Sequence, residues 1–451
     1  MRAISVTALS SGQGKTLFTM GLIHWLKNNI GSVRPFKVGP DYIDTRFHEK
    51  IAGNSSINLD LYMMNKEEAL KTVSFYSRDM DNLLMEGVMG FYDGIDYGTS
   101  TYDVAKAVNF PTVLVVSAEG SYATLVPIIK GIVDYRPDNT IKGVILNKVS
   151  SQTHYQMIEE RINKEIPQLQ VLGWIKKDIV SISSRHLGLD VNEIDNQKLD
   201  HISESVMKNI NTSKLLELME YSDKQEEVAF FCGISDKIQQ ACRDLTITVV
   251  KDSAFSFVYR QNLDFFHKLF GKVNIVSALN NEEVPYDSDI VYIPGGYVET
   301  PEFYPILQKA DRFKQSLKQI ALNKNKKIYA ECAGLMFLGE KIATTDGNSL
   351  DGAGVLPIDF EMQNKRHRLG YYKALDKSNM DIYKGHAFHY SCPLPHDNTV
   401  EAWELYKDKN KKAELGAWTN NGGNVLGTYL HSFFFNQPEL VLKYMSGGTN
   451  G

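Results

Sequence analysis

The N-terminal segment commits to one supersecondary unit. An apolar run over residues 3–9 leads into the loop Ser10-Ser11-Gly12-Gln13-Gly14-Lys15-Thr16, and the helix-patterned stretch Leu17-Phe18-Thr19-Met20-Gly21-Leu22-Ile23 follows. In that order the glycines let backbone N–H groups turn outward to phosphate oxygens, Lys15 offers a cation to the β- and γ-phosphates, and the Thr16 hydroxyl offers a ligand to Mg²⁺. The loop departs from the usual phosphate-loop pattern at Leu9, where a first glycine normally stands. A parallel α/β sheet presents such a loop at the carboxyl ends of its strands. The alternation of short apolar runs with longer amphipathic stretches continues that pattern, with candidate strands at 3–9, 33–38, 82–86, 112–117, 143–147 and 170–174.

A chain of 451 residues exceeds what one hydrophobic core organises. The expected division is a phosphate-loop domain over 1–190, a polar linker and domain tail over 191–226, and a second α/β domain over 227–451. Strands of the second domain are expected at 246–251, 273–276, 290–293 and 327–330, with a more mixed sheet towards 369–389. The net charge of -5 and pI near 6.2 give no electrostatic reason for nucleic acid or an anionic membrane as partner. No apolar stretch is long enough to span a bilayer, and the first strand leaves no room for a signal peptide. The four cysteines, Cys232, Cys242, Cys332 and Cys392, show no disulfide or zinc spacing, so a reduced, cytoplasmic enzyme is expected.

Mg²⁺ needs hard oxygen ligands besides Thr16. Glu86 closes a candidate strand, and Asp41 and Asp44 follow another in Lys37-Val38-Gly39-Pro40-Asp41-Tyr42-Ile43-Asp44. Thr16, Asp41 and Glu86 are the expected metal set. Asp41, Asp44, Glu86 and Asp93 all follow candidate strands of one sheet, and how substrate contact (Asp41, Tyr42, Asp44) and catalysis (Asp44, Asp93) divide among them is left open. Gly12, Gln13, Gly14, Lys15 and Thr16 would hold the nucleotide. Asn147 and Lys148 end a further strand, where they would read adenine or simply form a strand-to-loop turn.

A second chemistry centres on Ala330-Glu331-Cys332-Ala333-Gly334. A nucleophile on a tight strand-to-helix turn requires small neighbours, which Ala330 and Gly334 provide. The following helix N-terminus is expected to lower the thiol pKa and favour thiolate. Pro294-Gly295-Gly296-Tyr297 follows another strand, so backbone N–H groups of Gly296 and Ala333 are oxyanion candidates, and His431 is the candidate base. The position two residues after His431, where an acid often stands, is Phe433. A Cys332/His431 dyad is therefore expected, with the group that orients the imidazole left open. His386 and His389 fall on opposite faces of a candidate strand, which suits substrate contact or packing better than a metal. Cys232, Cys242 and Cys392 are read as structural.

Taken together, these stretches resemble the glutamine-dependent cobyrinate a,c-diamide synthases. The resemblance rests on the phosphate loop, Gly39 to Asp44, Glu86 to Gly94, Arg185-His186-Leu187-Gly188-Leu189, Pro294 to Tyr297, Glu331 to Leu338, Gly385 to Ser391 and Gly427 to His431. Ala387 departs from the family motif, which usually has Glu between the two histidines, and Ala333 replaces a frequent Gly. The resemblance implies a dethiobiotin synthetase-like ATP domain followed by a flavodoxin-like class I glutamine amidotransferase domain. It also implies attack of Cys332 on L-glutamine assisted by His431, release of ammonia, and ATP-dependent activation of a carboxylate as an acyl phosphate. Cobyrinic acid or a related tetrapyrrole is the implied partner, and a homodimer is left open. The nickel-sirohydrochlorin a,c-diamide synthases share most of these motifs. A partition-type ATPase switch commonly carries a second lysine early in the loop, where this chain has Ser10, and has no need of Cys332 and His431.

Overall fold

The computed structural model describes residues 1–177, 195–222, 234–407 and 410–446. Arg185 to Leu189 and Cys232 lie outside the described residues. The chain divides into two compact units, Met1–Phe230 and Phe231–Gly451.

In the first unit seven strands form one sheet: β1 (Arg2–Ala8), β2 (Val33–Val38), β3 (Ile57–Leu59), β4 (Asn82–Glu86), β5 (Thr112–Ser117), β6 (Ile141–Val149) and β7 (Gln170–Lys176). Their order is β3-β2-β4-β1-β5-β6-β7, and every pairing is parallel. An all-parallel sheet needs cover on both faces, and alternation along a strand shows that it has it. Val113 and Val115 of β5 pack with Phe18 and Leu22, whereas Leu114 and Val116 pack with Leu125, Ile129 and Ile158. The three-residue β3 was not among the expected strands, because its apolar run is too short to stand out.

The described part of the polar stretch after β7 folds onto this unit. The helix Asn196–Met207 buries Leu199, Ile202, Val206 and Met207, starts on an Asp195 cap, and lies against the helix Lys15–Asn29. A Cβ on Gly21 would sit 3.0 Å from Val206, and the Ser203 hydroxyl donates to the Gly21 carbonyl at 3.0 Å. Tyr221 donates from its hydroxyl to Val108 O at 3.0 Å. The polarity that suggests a linker is thus one face of an amphipathic helix.

The second unit contains β8 (Thr246–Val250), β9 (Lys272–Val276), β10 (Ile290–Ile293), β11 (Lys327–Glu331), β12 (Lys341–Ala343), β13 (Ser349–Asp351), β14 (Ile358–Met362), β15 (Arg368–Asp376), β16 (Ile382–His389), β17 (Ser391–Pro395), β18 (Val400–Lys407), β19 (Asn410–Thr419), β20 (Val425–Thr428) and β21 (His431–Ser432). Ten of them form one sheet in the order β21-β16-β15-β18-β19-β20-β11-β10-β8-β9. The half β9-β8-β10-β11-β20 is parallel, and in order of appearance it reads 2-1-3-4-5, the flavodoxin-like arrangement. Beyond β20 the pairings are antiparallel, as the mixed pattern towards 369–389 suggested. β13-β12-β14-β17 form a separate small sheet. Among the described residues no helix is long and apolar enough to cross a membrane.

If the helix Asn196–Met207 is integral to the first unit, Ile202→Ala should destabilise that unit by about 2–5 kcal/mol. Gln197→Ala, on the exposed face, should stay within about 0.5 kcal/mol in the same urea titration.

Candidate active sites

The phosphate loop leaves β1 and returns into the helix Lys15–Asn29 with Gly12 at φ 81° and Gly14 at φ 91°, left-handed conformations that side chains disfavour. Neighbouring strand ends brace it. The Asn147 amide donates to Gln13 O at 2.7 Å, and Ser117 N–H donates to Gln13 Oε1 at 2.7 Å. A Cβ on Gly14 would lie 1.9 Å from Asn147 Nδ2, so glycine is required by contact as well as by conformation. In this structure Asn147 therefore supports the loop. Lys148, at φ 55°, extends to Glu119 at 3.3 Å.

Parallel register delivers the groups beside the loop. Val6 of β1 and Lys37 of β2 both pair with Glu86 of β4. The Thr16 hydroxyl donates to Glu86 Oε1 at 2.7 Å, and His48 Nε2 lies 2.7 Å from Glu86 Oε2. Lys37 is the buried centre of this group: its ammonium donates to Asp44 Oδ2 at 2.7 Å and to Gly87 O at 3.1 Å. It lies 3.5 Å from Glu86 and 3.6 Å from Asp41. Sequence reading picked out the three acids and missed Lys37 and His48. Tyr42 is buried just ahead of the helix Ile43–Ala52.

One ammonium cannot neutralise three buried carboxylates equally. Burial works against charge on all four groups. For Lys37 the surrounding acids override it and hold the ammonium charged. Burial is likewise overridden for Glu86 by Lys37 and the His48 hydrogen bond, and for Asp41 by Lys37 and the N–H groups of Asp44 and Ile43; both stay below the usual carboxylate range. At Asp44 burial prevails, reinforced by Glu86 and Asp41 against the pull of Lys37, and the pKa rises. The Thr16 hydroxyl and the ionised Glu86 are hard oxygen donors side by side at the loop, a set that fits Mg²⁺. Asp41 joins them through Lys37. Asp93 closes its own turn by accepting the Gly90 N–H at 2.8 Å, and Phe91 N–H donates to Ala8 O at 2.9 Å, which fixes this loop beside β1.

In the second unit Cys332 follows β11 with φ 48° and ψ -104°, a strained conformation for a side-chain-bearing residue and the geometry of a nucleophile elbow. A Cβ on Gly334 would meet Ile293 O at 2.4 Å, which explains the small residue expected there. Gly295, just after β10, faces the site: a Cβ there would lie 2.4 Å from His431 Cε1 and 3.3 Å from Cys332 Cβ. Thiol and imidazole thus share the space that this glycine vacates. Gly296, the expected oxyanion residue, packs against the Ala254 carbonyl. The Ala333 N–H hydrogen-bonds to Cys332.

The thiolate expectation is corrected. Burial pushes the Cys332 thiol well up, the carboxyls of Glu299 and Glu331 add to that, and the Ala333 N–H only partly offsets it. Burial likewise drives His431 down to about 3. Both shifts favour the neutral forms of thiol and imidazole, and the thiol donates to Phe388 O at 3.8 Å. His386 and His389 are both buried, as packing partners of this site. The His386 ring stacks on His431 at 4.7 Å, and the His389 ring stacks on Tyr429 at 3.6 Å. Ala387 between them is fully buried. Glu331, unassigned by sequence reading, lies 3.7 Å from His431 Nδ1.

A phosphate-loop unit joined to a flavodoxin-like unit with an elbow cysteine defines a glutamine-hydrolysing ligase. Residues 2–181 match an AAA domain, and residues 246–439 match the CobB/CobQ-like glutamine amidotransferase domain. The chain is 33% identical to the cobyrinate a,c-diamide synthase of Saccharolobus solfataricus, over 97% of this chain and 98% of that one. It is 35% identical to the proteins of that name from Caldanaerobacter subterraneus, over 98% of each chain, and from Clostridium tetani, over 98% of this chain and 99% of that one. The chain belongs to the cobyrinate a,c-diamide synthase family, and glutamine-dependent amidation is its chemistry.

Two outcomes follow from these geometries. Gly14→Ala should weaken binding of ATP with Mg²⁺ by roughly tenfold or more, read by titration calorimetry. With no glutamine present, Cys332 should react with iodoacetamide at pH 7 more slowly than an unperturbed thiol of pKa about 8.5, followed by intact mass. Fast labelling would contradict the neutral resting pair.

Proposed function

We propose that this protein converts the a- and c-acetate carboxylates of cobyrinic acid into amides, with ATP as the activating reagent and glutamine as the nitrogen source. The observation that carries the reading is a Lys37–Glu86–Thr16 cluster at a phosphate loop and a Cys332–His431 pair at an elbow, in one chain alike over its length to synthases of that name.

At the thiol site, sulfur attacks the glutamine amide carbon as the thiol proton passes to His431. The oxyanion so formed is met by backbone N–H groups, with Ala333 and Gly296 the assigned donors. His431 returns the proton to the departing nitrogen, ammonia leaves, and water cleaves the thioester. In the other unit a substrate carboxylate oxygen attacks the γ-phosphorus, the bond to the β,γ-bridging oxygen breaks, and ADP departs. Ammonia then adds to the acyl carbon, and inorganic phosphate leaves with the C–O electron pair. A carboxylate is a poor electrophile until its oxygen becomes such a leaving group.

Lys15 and Lys37 neutralise the charge that gathers on the transferred phosphoryl group. Thr16, Glu86 and Asp41 would hold Mg²⁺, which when bound would supply further neutralisation of phosphate charge. Asp44 keeps Lys37 in place and, of the three acids, is the one suited to exchange a proton as ammonia adds. Asp93 keeps the loop beside β1 in position. Gln13 and Asn147 shape the nucleotide pocket, with Lys148 at its edge. Asp41 and Tyr42 are assigned to the carboxylate being activated.

The test is mass spectrometry of the products formed with ATP, Mg²⁺ and glutamine, with cobyrinic acid and nickel sirohydrochlorin offered in parallel. Two amidations of cobyrinic acid are expected. Cys332→Ala should lose them with glutamine and retain them with ammonium. Preference for the nickel substrate would move the reaction to the other pathway, and amidation of neither would overturn the reading.

A further inference from the structure

The thiol site lacks an acid two residues beyond its histidine. That position is Phe433, whose ring packs on Tyr259 at 4.5 Å. An imidazole that must accept a proton from sulfur in a dry site still needs a partner for its second nitrogen, because a buried, unpaired imidazolium is costly.

The structure supplies a carboxyl from the other direction. Glu331 Oε2 lies 3.7 Å from His431 Nδ1, and both side chains are 1% exposed. Glu331 is held at both oxygens: Tyr292 OH donates to Oε2 at 2.8 Å, and Ser432 N–H donates to Oε1 at 2.9 Å. The strand carrying His431 is itself pinned. Asn262 Nδ2 donates to Ser432 O at 2.8 Å and Asn262 Oδ1 accepts from Phe434 N–H at 3.0 Å, while Tyr329 OH meets Ser432 Oγ at 3.2 Å. On the opposite side the His386 ring stacks at 4.7 Å. Carboxyl and imidazole are thus fixed from separate strands, with Oε2 and Nδ1 3.7 Å apart.

We propose that Glu331, next in sequence to the nucleophile instead of two residues after the histidine, is the positioning residue of the thiol site, accepting a hydrogen bond from His431 Nδ1 when the imidazole is protonated. This rests on the reading of Cys332 as nucleophile. When the S–H bond breaks, its proton goes to His431 Nε2 and the sulfur electron pair goes to the amide carbon. The imidazolium then carries a proton at Nδ1, facing Glu331. A contact of 3.7 Å is longer than a hydrogen bond, and catalytic contacts of this kind tighten once charge develops. Burial pushes Glu331 up to about 8, against the pull of the Tyr292 and Ser432 hydrogen bonds. A cation forming beside it adds to those bonds in favour of carboxylate.

The competing reading makes Glu331 only an anchor for Tyr292 and Ser432, and kinetics separate the two. Glutamine hydrolysis is measured on the full chain with ATP, Mg²⁺ and cobyrinic acid present, for the wild type, Glu331→Gln, Glu331→Asp and Cys332→Ala, alongside ammonium-driven amidation. Glu331→Gln should lower kcat for hydrolysis roughly 10–100-fold with KM changed by less than about twofold. Glu331→Asp should recover part of the loss, and ammonium-driven amidation should be unchanged in both. A Gln variant within about twofold of wild-type kcat, or an Asp variant as impaired as the Gln variant, overturns the proposal. If Glu331→Gln does not fold, Tyr292→Phe removes one hydrogen bond to Oε2 while keeping the ring. It should then show a smaller kcat-selective loss, and an unchanged kcat there overturns the proposal. Hydrolysis surviving in Cys332→Ala would sink the underlying nucleophile reading instead.

Discussion

Both sites depend on parallel strand register. Hydrogen bonding between β1, β4 and β2 sets Val6, Glu86 and Lys37 side by side where the strands end, so the loop leaving β1 closes over a carboxylate and an ammonium. The same rule in the second unit brings Gly295 after β10, Cys332 after β11 and Thr428 at the end of β20 to one point, where Cys332 N–H donates to Thr428 O at 2.7 Å. A slip of one residue in either set would turn each of these side chains to the opposite face of its sheet.

The two sites handle charge in opposite ways. The phosphate-loop site keeps charge in a buried place by clustering it, with one lysine serving three acids and a histidine holding the fourth contact. At the thiol site burial works the other way: it raises the Cys332 thiol and lowers His431, so the neutral forms of both are favoured. Burial also shields the Cys332 sulfur, and the strained backbone at that residue fixes the direction of its side chain.

What the sequence made legible was local. The phosphate loop, the small residues around Cys332 and the glycines after β10 are contiguous signals whose meaning does not depend on distant partners. Lys37 was overlooked because a lysine ending a strand ordinarily points to solvent, and only the pairing of β2 with β4 shows that it is buried. His48 sits on a helix face that gives no sign of Glu86. Glu331 stood in plain view beside Cys332, but its carboxyl matters through His431, a hundred residues away in sequence. The thiolate expectation failed for a related reason: the short helix Ala333–Leu338 is visible in sequence, whereas the burial that outweighs it is a property of the folded unit. In the polar stretch read as a domain tail and linker, the helix Asn196–Met207 belongs to the tail: its apolar face, Leu199, Ile202, Val206 and Met207, is spaced among charged residues and so does not stand out in sequence.

In the proposed function two chemistries meet at one carboxyl carbon: phosphate activates it and glutamine nitrogen displaces that phosphate. Oxygen tracing tests this directly. With cobyrinic acid labelled with oxygen-18 in its carboxylates, and with ATP, Mg²⁺ and glutamine supplied, the inorganic phosphate released should carry one labelled oxygen for each amide formed. Amide formation with unlabelled phosphate would show that the carboxylate oxygen never bonds to phosphorus, and would contradict the account.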